Sequence, residues 1–172
     1  YGGEPWLIQE HWDTLAKMVE LGYSKDCILH YTTNGTVFKR KQTDLLKQFK
    51  SVSIQLSIDG VGDRFEYQRY PGKWSVIEKN MERFLELREY GIGISTCSTL
   101  SVLNIWYLEE LLKYFYDRDI KVYFNHLHRP YEFALKNLPR EVKLKVKQRL
   151  EKIDSKYNEK LDNITIDNMI NF

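Results

Sequence analysis

Four short segments of this chain carry residues able to bind a charged, polar small molecule. The first is Gly2-Gly3-Glu4-Pro5. Two glycines let backbone approach a ligand closely and accept dihedrals that other residues resist. Glu4 places an anionic acceptor there, suited to an ammonium group, and Pro5 fixes the chain as it leaves. The second is Thr33-Asn34-Gly35. The third is Ser57-Ile58-Asp59-Gly60, with Arg69 twelve residues beyond Ser57. The fourth runs over 99–104 and ends on Asn104. Each has a plainer reading: Glu4 as a turn acid, Asp59-Gly60 as an ordinary turn, Ser57 as a satisfied core hydroxyl and Arg69 as a solvated cation.

The last three of these segments, and a further one over 125–129, lie at the ends of predicted strands; Gly2-Gly3-Glu4-Pro5 would be a fifth such end if Tyr1 closes a strand that the sequence lacks. Alternation of apolar and polar residues predicts strands over 27–33, 52–58, 92–99 and 120–125. Between them, apolar residues at helical spacing predict helices over 9–21, 42–49, 74–90 and 105–116, the last capped by Asn104. The stretches 60–73 and 126–138 read as loops. Pro139 suits the start of a final helix reaching about Ile153, and 155–172 is polar and asparagine-rich.

Strands separated by helices imply a parallel sheet joined by crossovers. The fold class is therefore α/β. Ligands bind such sheets at the carboxyl ends of the strands, where 33–35, 57–60, 99–104 and 125–129 fall. Val52, Ile54, Leu56 and Ile58 share one strand face and Ser53, Gln55, Ser57 and Asp59 the other, so one face should pack on helices. A second face this polar does not suit a filled eight-stranded barrel. It predicts an open or partial (β/α) barrel over 1–138, followed by a C-terminal helix and polar tail over 139–172.

Composition narrows the partners. The 172 residues hold 26 basic and 24 acidic side chains, for a net charge of +2. That balance gives no electrostatic case for nucleic acid or membrane as the main partner. The two cysteines, Cys27 and Cys97, lie far apart and fit reduced thiols in a cytoplasmic protein better than a disulfide framework. His126-Leu127-His128 offers two ligands for a metal but no third at matching spacing. The basic residues of the last helix read as a solvated face or as a contact for RNA or an acidic peptide.

Taken in order, the segments resemble the radical S-adenosylmethionine enzymes, the twitch/SPASM-like subgroup among them, from Tyr1 to about Leu138. Gly2, Gly3, Glu4 and Pro5 match residue for residue the family motif that binds the methionine amino group. The resemblance implies a core cut down from a (β/α)6 barrel. It implies cofactor contacts at Thr33 and Asn34, at Ser57 and Asp59 for the ribose, at Arg69 for the carboxylate, at Asn104, and at Leu127 beside the adenine. The family's [4Fe-4S] cluster needs three closely spaced cysteines, usually C-x3-C-x2-C, and that triad is absent. We therefore expect a fragment that lacks the cluster-bearing N-terminal segment, carries no catalytic residue of its own and is inactive alone. The implied substrate is a peptide or protein, with RNA the weaker alternative, and an exposed sheet edge could support an oligomer. The competing reading is a non-catalytic half-barrel that binds a nucleotide or peptide.

Overall fold

The structure is a computed structural model, and it describes residues 3–153, 156–157 and 161–162. Gly2 and most of the polar tail lie outside these residues. Helix α1 (Gln9–Glu20) precedes strand β1 (Ile28–Thr33). Helix α2 (Arg40–Leu46) leads to β2 (Ser51–Ser57), and α3 (Asp63–Gln68) and α4 (Trp74–Leu85) follow. Then come β3 (Gly93–Leu100), α5 (Leu108–Tyr116), β4 (Lys121–His126), α6 (Arg140–Leu150) and a two-residue β5 (Leu161–Asp162). The strand order is β1-β2-β3-β4-β5. β1 runs parallel to β2, with Ile28 opposite Ser51 and Thr33 opposite Leu56, and β4 runs parallel to β5. The expected α/β architecture with parallel strands is present.

The elements depart from expectation at four places. The stretch 60–73 is not all loop, because α3 forms there around one buried apolar residue, Phe65. Phe65 packs against Trp74 at 5.5 Å between ring centroids. A six-residue helix with a single core side chain leaves no periodicity to read. The helix expected to reach 90 stops at Leu85 and tightens into a 3-10 turn over Glu86–Tyr90, which buries Leu87 and closes on Gly91 at φ 76°. Helix ends often tighten this way. A further 3-10 turn, Ile105–Tyr107, precedes α5, and Asn104 makes no side-chain cap. Finally, β5 adds a strand within the expected tail.

By internal contacts the chain divides into two compact units. One comprises Tyr1–Ser57 with Ser75–Ser95, the other Ile58–Trp74 with Thr96–Phe172. The expected boundary after Leu138 falls inside the second unit.

The first unit buries Val52, Ile54 and Leu56 of β2 with Ile77, Met81 and Phe84 of α4. Residues 53, 55 and 57 stay half-exposed on the opposite strand face. Trp6, fully buried, holds the centre of an aromatic cluster, with Trp12, Tyr31 and Phe84 at 5.5, 5.4 and 5.3 Å. Edge-to-face rings at these distances add to simple burial. The Trp12 Nε1–H donates to the Pro5 carbonyl at 2.9 Å. This fixes the exit of the glycine-rich segment against α1.

The second unit buries Leu108, Leu111, Leu112 and Phe115 of α5, Val122 and Phe124 of β4, and Val146 and Leu150 of α6. On β3 the buried face continues through two hydroxyls, Thr96 and Ser98. Each is satisfied by a backbone carbonyl: Thr96 donates to Lys121 at 3.3 Å and Ser98 to Ile58. Buried polar groups are tolerated when paired in this way.

Candidate functional site: two strand-end polar clusters

The first cluster is built on Glu4. Its carboxylate caps the 3-10 turn Pro5–Leu7 by accepting the Trp6 N–H at 3.4 Å. The same oxygen accepts the Thr33 hydroxyl at 2.6 Å, and the other accepts the Asn34 N–H at 2.9 Å. Thr33 is the last residue of β1, so the carboxylate is clamped to the carboxyl end of that strand. The Thr33 hydroxyl in turn accepts the Gly35 N–H at 3.1 Å, and the Asn34 side-chain oxygen accepts both donors of Thr36. Asn34 thus folds its own turn.

Behind the turn, Asn80 of α4 donates to the Gly35 carbonyl at 2.9 Å. Asn80 is buried, and sequence reasoning missed it. A polar residue on the apolar stripe of α4 was the available signal. Gly3, at φ 87°, holds the left-handed conformation that glycine favours. The structure therefore brings Glu4, Thr33 and Asn34 together. The Glu4 carboxylate keeps lone pairs beyond the three protein donors.

The second cluster is built on Asp59, which follows β2. One of its carboxylate oxygens accepts the Thr99 N–H at 2.7 Å. The other receives Arg69 Nε at 2.7 Å and Nη2 at 2.6 Å. Asp59 and Arg69, expected to face a ligand separately, are an ion pair. Its side chains are only 13% and 29% exposed. Both Arg69 donors converge on one oxygen, so the guanidinium retains further N–H groups.

Asn104 completes this cluster. Its amide donates to the carbonyls of Asp59 at 3.1 Å and Thr99 at 2.8 Å, and its oxygen accepts the Ser101 N–H at 2.9 Å. Asn104 is buried, and its groups are committed to the backbone of residues 59, 99 and 101. Leu127 sits just past β4 and donates its N–H to the Leu100 carbonyl at 3.0 Å. Ser57 ends β2, half-buried on the polar strand face.

Gly60 is required by close approach. A Cβ there would stand 2.9 Å from Gln68 Nε2 and 3.1 Å from the Phe65 backbone nitrogen. Gly60→Ala is expected to cost about 1–2 kcal/mol, because α3 would have to shift. Urea denaturation would measure this, and an unchanged midpoint would contradict the packing described.

Cys97 lies half-buried on the polar face of β3 and receives the Asn125 amide on its sulfur at 3.1 Å. Burial pushes its thiol upward. Nearby Asp59 adds to the shift and Arg69 opposes it. In a Cys27→Ser background, iodoacetamide should modify Cys97 more slowly at pH 8 than a free thiol. The midpoint of its rate–pH curve should lie above that of a free thiol measured alongside. A midpoint equal to the free thiol's would mean an unshifted Cys97.

His126 is held below the usual imidazole range by burial and by His128. Among the described residues, no group of three or more His, Cys, Asp or Glu side chains could hold a metal ion. Among the described residues no helix is long and apolar enough to cross a membrane.

No protein-family model matches the chain, and no curated protein does. Solved structures do. Hexahistidine-tagged anSMEcpe with bound AdoMet aligns at a TM-score of 0.62 and 19% identity, over 88% of this chain and 42% of that one. Native anSMEcpe with bound AdoMet and Cp18Cys peptide aligns at 0.62 and 20%, over 88% and 44%. Streptococcus suis SuiB bound to S-adenosylmethionine aligns at 0.61 and 15%, over 96% and 39%. The chain spans about two fifths of the length of these proteins. What it shares with them, at this level of identity, is their fold.

Proposed function

We propose that this chain is the S-adenosylmethionine-binding part of a radical S-adenosylmethionine enzyme. The observation that carries the reading is the Glu4 carboxylate, clamped by Thr33 and Asn34 at the end of β1. A carboxylate held in place before a ligand arrives is suited to an ammonium, because orienting it costs nothing at binding. Two proteins that share the fold are themselves bound to this cofactor, which supports the choice of ligand.

The donor set fits the molecule. S-adenosylmethionine presents an ammonium, a carboxylate, a ribose diol and an adenine. We assign the ammonium to Glu4, with Gly3 and Pro5 shaping the approach and Gly2 preceding them. Arg69, oriented by Asp59, takes the carboxylate through its remaining N–H groups. Ser57 exchanges hydrogen bonds with the ribose. The Leu127 segment lies along the adenine. Asn34 and Asn104 are positioning residues that hold the loops on which these groups sit.

When bound beside a reducing cluster, the cofactor supplies radical hydrogen abstraction. The residues of this chain do not fit the cluster itself. Cys27 and Cys97 are its two cysteines, and a [4Fe-4S] site needs three clustered thiolates from the protein. The 172 residues therefore bind and orient the cofactor, without a catalytic residue among them. For the substrate we propose a peptide or protein, supported by the Cp18Cys peptide bound to anSMEcpe.

Calorimetric titration of S-adenosylmethionine, and separately of its homocysteine analogue, tests the reading. One-to-one saturable binding is expected, with no cofactor cleavage when dithionite is added. Absence of saturable binding by both ligands would overturn it.

A further inference from the structure

A second cleft, of about 380 Å3, lies within the first unit, between α2 and the 3-10 turn Glu86–Tyr90. None of the residues assigned to S-adenosylmethionine lines it. Its volume falls in the range of small-ligand sites.

The two walls carry opposite charge. Arg40, Thr43 and Asp44 of α2, with its C-cap Lys47, stand at spacings of three and four and so share a helix face. Asp44 and Lys47 neutralise each other at 2.7 Å, and the Lys47 ammonium lies 3.6 Å over the Tyr90 ring. Asp44 also feels the charge of Arg40, so Arg40, Asp44 and Lys47 together leave this wall with one net positive charge, and Arg40 makes no ion pair among the described residues. The facing wall presents Glu86 and Glu89. Among the described residues neither carboxylate pairs with Arg40, and all three side chains are exposed. Leu87, which is buried, and Phe38 add apolar surface to the lining.

A guanidinium from α2, carboxylates from the 3-10 turn and apolar side chains in the same lining suit a ligand with both charges on a short apolar body. We propose that this cleft binds a small zwitterion, a free α-amino acid or a dipeptide. The carboxylate of the guest would meet Arg40, its ammonium would meet Glu86 and Glu89, and its side chain would lie between Phe38 and Tyr90. A guest with one charge would leave one wall uncompensated. The proposal does not depend on the S-adenosylmethionine reading.

The test uses the whole chain and three probes followed by amide NMR: L-phenylalanine, its amide (cation only) and its N-acetyl derivative (anion only). Saturable shifts are expected around Thr43, Lys47 and Tyr90 with L-phenylalanine. Each singly charged probe should bind about tenfold more weakly. Arg40→Gln should weaken L-phenylalanine and its N-acetyl derivative while leaving the amide unchanged. The double variant Glu86→Gln, Glu89→Gln should do the reverse. S-adenosylmethionine titrations should be the same in both variants and in the parent chain. Four results would overturn the proposal: no saturable binding, equal binding of the three probes, shifts centred on Glu4 instead, or variants that alter none of the affinities.

Discussion

Asp59→Ala is expected to destabilise the protein by about 2–3 kcal/mol, lowering the melting temperature by roughly 5–10 °C. The size follows from what the carboxylate holds. It compensates Arg69 in a site where Asp59 is only 13% exposed, and it accepts the Thr99 N–H. Removing it leaves a cation and a backbone donor unpaired together, which costs more than losing one hydrogen bond. Arg69→Ala should cost less, about 1–2 kcal/mol, because Asp59 keeps Thr99 and gains access to water. The double variant should fall short of the sum, since both single changes remove the same pair. Urea denaturation of the four proteins measures this. Strict additivity would mean that the Asp59–Arg69 pair contributes nothing to stability.

Glu4→Gln should weaken S-adenosylmethionine binding by about 10–100-fold, the range for losing a charged hydrogen-bond partner. The substitution preserves shape. The amide keeps one oxygen for Thr33 or for Asn34 but cannot serve both, and it carries no charge for an ammonium. Folding stability should fall by only about 1 kcal/mol, because one of the three hydrogen bonds that Glu4 accepts is lost. Thr33→Val separates the effects. It removes one of the donors that orient Glu4 while leaving the charge, so affinity should fall by less than in Glu4→Gln. An affinity lost equally in both would point to loop disorder as the common cause.

Much of this was legible before the structure. The alternation of Val52, Ile54 and Leu56 with Ser53, Gln55 and Ser57 gave both faces of β2, because a strand has period two and one face is buried. The grouping of Glu4 with Thr33 and Asn34 was implied by the family resemblance, since no predicted strand leads into Glu4. What stayed hidden was set by single tertiary contacts. α3 exists because Phe65 finds Trp74, and one buried ring leaves no pattern. Asn104 resembled a helix cap, yet its amide bonds the backbone of residues 59, 99 and 101, whose proximity is a product of the fold. Asn80 reads as a flaw in an apolar stripe until the Gly35 carbonyl lies beneath it. The Asp59–Arg69 pair was the subtlest. Residue types and spacing suit two ligand contacts or one ion pair equally well, and only geometry separates them.

A crystal structure of the chain soaked with S-adenosylmethionine tests the central claim most directly. The account predicts the methionine nitrogen within hydrogen-bonding distance, about 2.7–3.2 Å, of the Glu4 carboxylate, with Thr33 and Asn34 still holding that carboxylate. Cofactor density elsewhere on the protein, with Glu4 bonded only to its own chain, would contradict it.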